Sequence, residues 1–271
     1  MAEWNDPQTT RNPFATGPQL NGELLGAATR DQGLRSYMLS IYNYMASGVL
    51  LSGVVALLFA RSGMAEATFG SPLRWVIMLA PLGFVMAMSF GLHKMQTSTL
   101  KLLFWAFSVA MGLSLSAMFF VYTGASIATT FFATAGAFGG LSLYGYTTKR
   151  NLSAMGSFMT MGLIGIIIAM VLNMFLQSSA MSLAISVLGV VIFAGLTAWD
   201  TQRLRNAYYE VQGTAMMQKV VIMGALSLYL DFINMFQFLL SFMGDRRYPR
   251  IGNGQACPAR YPARRAFALR R

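Results

Sequence analysis

Two aspartates sit inside otherwise apolar stretches near the end of the chain, Asp200 in AGLTAWDTQRLR and Asp231 in ALSLYLDFINMFQFLL. They are the only acidic residues within the hydrophobic part of the sequence. Glu3, Asp6, Glu23, Asp31, Glu66, Glu210 and Asp245 fall in the tails or in connecting segments. An ionisable group inside a membrane span costs about 2.5 to 3.5 kcal/mol by insertion scales, so its presence points to function. Two carboxylates sharing a dry site do not both ionise comfortably and titrate as a unit. A proton, a divalent cation or a basic side chain each relieves the repulsion, and exchange among the three makes a pH-sensitive cation gate.

The neighbours of each aspartate extend this reading. Ser227, Asp231, Asn234 and Ser241 follow helical steps and form a polar stripe, while Tyr229, Phe232, Met235, Phe236 and Leu239 lie largely off it. On the preceding apolar run Ser186, Gly189, Phe193, Thr197 and Asp200 make a second stripe, small or polar at all but Phe193. Facing one another, the stripes define a narrow path lined by Ser227, Asn234 and Thr197, wide enough for water or a cation, with the carboxylates as its fixed charges. Calcium suits hard oxygen ligands, but it takes six to eight of them. Asp200 and Asp231 would therefore hold it weakly and transiently, as a permeant ion rather than a cofactor. His93, Lys94, Arg203 and Arg205 are the basic side chains placed to latch onto the pair.

Composition requires a bilayer around this site. The 271 residues are 55% hydrophobic and 11% charged, with a mean hydropathy of +0.52, whereas a soluble domain carries about 25% charged residues to cover its wetted surface. Seven apolar runs are long enough to cross, at about 37–60, 75–92, 101–122, 125–146, 157–176, 181–200 and 222–243. The expected fold is an all-α integral membrane protein, a seven-helix bundle over 36–245. A polar arm precedes it at 1–35, where no apolar signal-peptide core occurs, and a disordered basic tail follows at 246–271.

With the N-terminus inside, the leader and the even-numbered loops carry Arg11, Arg30, Arg35, Lys94, Lys101, Lys149, Arg150, Arg203, Arg205 and Lys219; the other loops carry Arg61 and Arg74. This bias predicts a cytoplasmic N-terminus in the cell's inner membrane. Seven spans then place outside a tail with eight arginines, a conflict that a re-entrant last segment would remove. The net charge of +11 is spread over short loops and the tail, not over one extended face, which argues against nucleic acid. The single cysteine, Cys257, permits neither an intrachain disulfide nor a cysteine metal cluster. The 21 methionines, spread over nearly every run, read as flexible packing groups. Gly48, Ser52 and Ala56 in the first run, and Gly136 and Gly140 in the fourth, are the small residues expected where helices pack closely in lipid.

LRSYMLSIYNYMASGVLLSGVVA, the AWDTQ segment and, most specifically, GALSLYLDFINMFQFLL resemble the Bax inhibitor family, also called transmembrane Bax inhibitor motif proteins, and its bacterial members in particular. The similarity covers residues 30 to 247. It implies a seven-helix fold with the last helix central, an aspartate pair at Asp200 and Asp231, and a pH-sensitive calcium leak. Bacterial relatives latch the first aspartate with a basic residue near the end of the second helix, where this chain reads GLHKMQ, so the resemblance points to His93 or Lys94. No acidic residue occurs within the second span, where some relatives have one.

Three other readings compete with a leak. Relatives suggest an adaptor that binds a membrane protease or a stress-response protein, and such a protein would tolerate asparagine at both positions. An intramembrane aspartyl hydrolase also needs two aspartates on neighbouring helices, but Asp231 follows Leu-Tyr-Leu instead of Gly-x-Gly, and the chain is not expected to be an enzyme. In a purely structural reading, helix partners neutralise the aspartates. No GxxxxGK[ST] is present to drive transport.

Overall fold

The computed structural model describes residues 17–246. The tail expected at 246–271, with Cys257, lies outside the described residues from position 247 on, as does the start of the arm expected at 1–35. Nine helices make up the described chain: α1 (Gly17–Arg61), α2 (Met64–Phe69), α3 (Leu73–Gly91), α4 (Thr97–Leu115), α5 (Met118–Val121), α6 (Gly124–Thr147), α7 (Ser153–Leu176), α8 (Ser179–Val211) and α9 (Met217–Met243). Seven segments are long and apolar enough to cross a membrane, α4 and α5 together forming one of them. They fall on the seven runs expected from sequence.

Two boundaries differ from expectation. α1 starts at Gly17, inside the segment read as an arm. α8 continues to Val211, although hydropathy ends its span at Asp200. The cause is an apolar stripe that persists among the charges: Leu204 and Tyr208, four residues apart, are both buried. Gly213, at φ 76°, then turns the chain into α9.

The last helix is the axis of the bundle. α9 packs against α8, α1, α6 and α4 and buries most of its length, from Val221 and Ile222 through Leu228, Phe232 and Met235 to Leu240. At about 1.5 Å per residue its 27 residues extend about 40 Å. Its first turn lies near the end of α3, where Lys219 Nζ donates to Leu92 O at 3.3 Å. Beyond its last turn, Thr123 N at the start of α6 donates to Asp245 O at 3.1 Å. α9 therefore runs from one end of the bundle to the other and does not re-enter.

α7 is peripheral. It buries Gly156 and Ile166 and exposes Phe158, Met161, Ile164, Met174 and Phe175, the surface that hydrocarbon covers in a membrane protein.

The small residues of the first span act as expected. Gly48, Ser52 and Ala56 of α1 are buried; a Cβ at Gly112 of α4 would stand 2.7 Å from Ser52 O. Ser52 Oγ also donates to Ser108 O at 2.7 Å and lies 2.6 Å from Tyr229 Oη, tying α1, α4 and α9 together in the dry core. The pair in the fourth span does not behave this way. A Cβ at Gly136 or Gly140 would meet nothing, and the close approach of α6 to α8 falls instead at Gly145, against the backbone of Ala198. Backbone cannot move aside as a side chain can. Gly145→Ala is therefore expected to cost about 1–3 kcal/mol of overpacking and to lower the melting temperature in detergent, with Gly136→Ala unchanged. Equal melting of the two variants would contradict this packing.

Candidate functional site: a buried aspartate pair between two helices

α8 and α9 run antiparallel and bring their stripes together. At one end Ser186 Oγ donates to Ser241 Oγ at 3.0 Å. Near the other, Ser227 Oγ donates to Asp200 Oδ2. Ser227 is one turn before Asp231 on α9, so the aspartates are offset by one turn, and their carboxylates are close enough to interact. Both residues are buried, and Asp231 Oδ2 has no hydrogen-bond partner among the described residues. A buried acceptor left unmatched is costly, and a cation that reaches it is stabilised there.

The pair lies on a cleft of about 890 Å³ between α7, α8 and α9. The α8–α9 side carries Ser186, Ser227, Asn234, Gln237 and Ser241 among the apolar Phe193, Leu196, Leu230 and Phe238. The other side is apolar, formed by Leu163, Ile166 and Met170 of α7. At the far end Asn173 Nδ2 donates to Ser182 Oγ at 2.7 Å and its Oδ1 accepts from Ser178 N at 3.0 Å, fixing the α7–α8 turn. The polar lining thus continues from the carboxylates toward the end of the bundle where α9 finishes.

Arg203 stands at the opposite end. Its Nη2 stands 3.1 Å from Asp200 Oδ1 and donates to Ser227 Oγ at 3.2 Å. Its guanidinium lies 4.8 Å from the centre of the Trp199 ring, a cation–π contact. Trp199 in turn packs on Gly156 of α7. The Arg203 side chain is 48% exposed and that of Asp200 only 7%, so the cation sits at a mouth and the carboxylate behind it.

The family is decided by comparison with known proteins. Residues 34–248 match the family described as inhibitor of apoptosis-promoting Bax1. This chain is a member of the Bax inhibitor family. It is similar to the uncharacterized protein RP147 of Rickettsia prowazekii, 47% identical over 220 residues, covering 81% of this chain and 93% of that protein. It is also similar to the inner membrane protein YbhL of Escherichia coli K12, 44% identical over 219 residues, covering 79% and 94%.

In this Bax inhibitor protein the structure sorts the residues singled out from sequence. Asp200, Asp231, Ser227, Asn234 and Arg203 meet at one cleft. Thr197 does not line it: its side chain is fully buried and Oγ1 donates to Phe193 O of its own helix at 2.8 Å, which corrects the expected path. His93 and Lys94 are exposed beyond the end of α3, which packs on α4, and neither pairs with an aspartate among the described residues. Arg205 is held by the carbonyls of Tyr146 and Thr148 at the end of α6, at 2.5 and 3.3 Å, where a cation suits the helix C-terminus. Of the four basic candidates Arg203 alone pairs with an aspartate among the described residues, Asp200, because three residues along a helix put it on the same face.

Two contributors escaped sequence reasoning. Trp199 positions Arg203, and Gln202 of the AWDTQ segment clasps the α6–α7 connection, accepting from Leu152 N and donating to Arg150 O, both at 2.8 Å. Both residues lie within two positions of Asp200 in sequence, but helical spacing does not say which neighbour each would reach.

Among the described residues no three His, Cys, Asp or Glu cluster as a metal site. The donor set is two carboxylates with hydroxyl and amide oxygens from Ser227, Asn234 and Gln237. It is a hard set, short of the acidic ligands of a tight calcium site.

Proposed function

We propose that this protein is a pH-sensitive calcium leak of the inner membrane, gated by Asp200 and Asp231 with Arg203 as the latch. The observation that carries the reading is the ring of Asp200, Ser227 and Arg203 at the mouth of a cleft whose polar groups continue past Asp231. With Asp200 ionised, Arg203 stays on it and covers the mouth. A proton on Asp200 removes the charge that holds the guanidinium, and Arg203 is exposed enough to swing into water. Calcium then reaches the Asp231 carboxylate and passes along Asn234, Gln237 and Ser241. The sign follows: flux rises as pH falls.

Weak ligation favours this assignment over a calcium store, since conduction requires that an ion leave as readily as it enters. The basic loops gather at the end of the bundle where Arg203 lies, which supports a cytoplasmic N-terminus and a latch on the cytoplasmic side. The purified protein in liposomes loaded with a calcium dye should admit calcium faster at pH 6 than at pH 8. A folded preparation that admits none at any pH would overturn the reading, and an adaptor of a membrane protease would take its place.

A further inference from the structure

α1 and α6 both pack on α9 but not closely on each other, which leaves a second groove of about 670 Å³ between them, with Phe232 of α9 at its floor. This groove is distinct from the aspartate cleft. Its walls are Met38, Met45 and Val49 on α1 and Phe131, Ala135 and Gly139 on α6; exposed Leu39, Leu50 and Leu143 stand at its rim. From Arg35 to Leu50, at 1.5 Å per residue, it extends about 22 Å. One leaflet of hydrocarbon is about 15 Å deep. The groove therefore has the length of one acyl chain with its interfacial region.

Apart from Tyr42 on α1, the polar groups that line it lie at one end. Arg35 lines that end and has no acidic partner among the described residues. Beside it Tyr146 lines the groove, and Arg205 is held at the Tyr146 carbonyl. One turn deeper is Ser142, 5% exposed, whose Oγ has no hydrogen-bond partner. Thr129, Thr134 and Thr147 on this helix bond the carbonyl four residues back, and Ser142 does not. Ser142 lines the groove with a donor to spare.

We propose that this groove binds one phospholipid with an anionic headgroup. The acyl chain lies between α1 and α6, an ester carbonyl accepts from Ser142, and the headgroup phosphate sits on Arg35. Positive charge at the headgroup level with apolar walls below is what such a lipid complements. The missing Cβ at Gly139, which would meet nothing, keeps the chain's path open.

Native mass spectrometry of the full chain in mild detergent tests this, with phosphatidylglycerol, phosphatidylcholine and glycerol 3-phosphate as probes. One phosphatidylglycerol should be retained, preferred over phosphatidylcholine by about fivefold. Arg35→Gln should erase the preference. Gly139→Leu should remove the bound lipid without lowering the melting temperature, and Ala135→Leu, at an exposed position on the same wall, repeats the test should Gly139→Leu fold poorly. Glycerol 3-phosphate should neither bind nor displace. The proposal is overturned by equal retention of the two lipids, by lipid held unchanged in the filled variants, by displacement with glycerol 3-phosphate, or by a lipid-free dimer that Gly139→Leu dissociates.

Discussion

Arg203→Gln is expected to raise calcium entry at pH 8 by about fivefold to tenfold and to flatten its pH dependence. The latch is worth only a little energy, which is what lets a proton release it. An ion pair whose cation is half-exposed contributes up to about 1 kcal/mol, and the bond from Arg203 to Ser227 adds about 0.5 kcal/mol. Together these amount to roughly a factor of ten in the closed-to-open ratio. Glutamine keeps much of the side chain's bulk over Trp199 but removes the charge that Asp200 attracts. Liposome flux at pH 6 and pH 8 checks it. A folded variant with the original flux at both pH values would show that Arg203 does not close the path.

Asp231→Asn has the opposite sign. Asp231 lies behind the latch with Oδ2 unpartnered, so it serves the entering cation instead of holding Arg203. Unit charges 4 Å apart at an effective dielectric near 20 interact by about 4 kcal/mol. Losing even a third of that beside the carboxylate lowers flux about tenfold where Asp231 is ionised. The variant should remain folded, because asparagine has the same shape and its amide can donate where the carboxylate only accepts. Opposed effects from two side chains on one cleft are not what a general loss of stability produces. An increase in flux for Asp231→Asn would reverse the roles given to the two aspartates.

Much of this was legible in residue order because a bilayer permits few solutions. Seven apolar runs set the number of the spans. Two acidic residues that could not face lipid had to face each other or a helix partner. Helical steps of three and four placed Ser227 and Asn234 with Asp231, as found. Where residue order fell short, the outcome was decided between helices. Thr197 shares the stripe of Asp200, but a threonine hydroxyl in a helix can bond its own backbone, and this one does. Gly136 and Gly140 have the spacing of a packing motif and no neighbour, since only tertiary contact says which small stripe is used. His93 and Lys94 are the positions the family resemblance suggests, yet α3 ends away from the pair. Arg203 was nearer at hand, on the same helical face as Asp200. The continuation of α8 past its first charges was hidden because hydropathy averages over a window, whereas Leu204 and Tyr208 need only one face.

The central claim is that a proton on Asp200 releases the latch. It is tested most directly by calcium entry into dye-loaded liposomes from pH 6 to pH 8, with Asp200→Asn beside the original protein. Asparagine carries no charge at any pH, so Arg203 has nothing to hold. The original protein should show flux that rises toward pH 6, and Asp200→Asn should show raised flux at pH 8 that no longer changes with pH. If Asp200→Asn retains the original pH profile, with folding confirmed, Asp200 is not the proton's site and the gate described here is wrong.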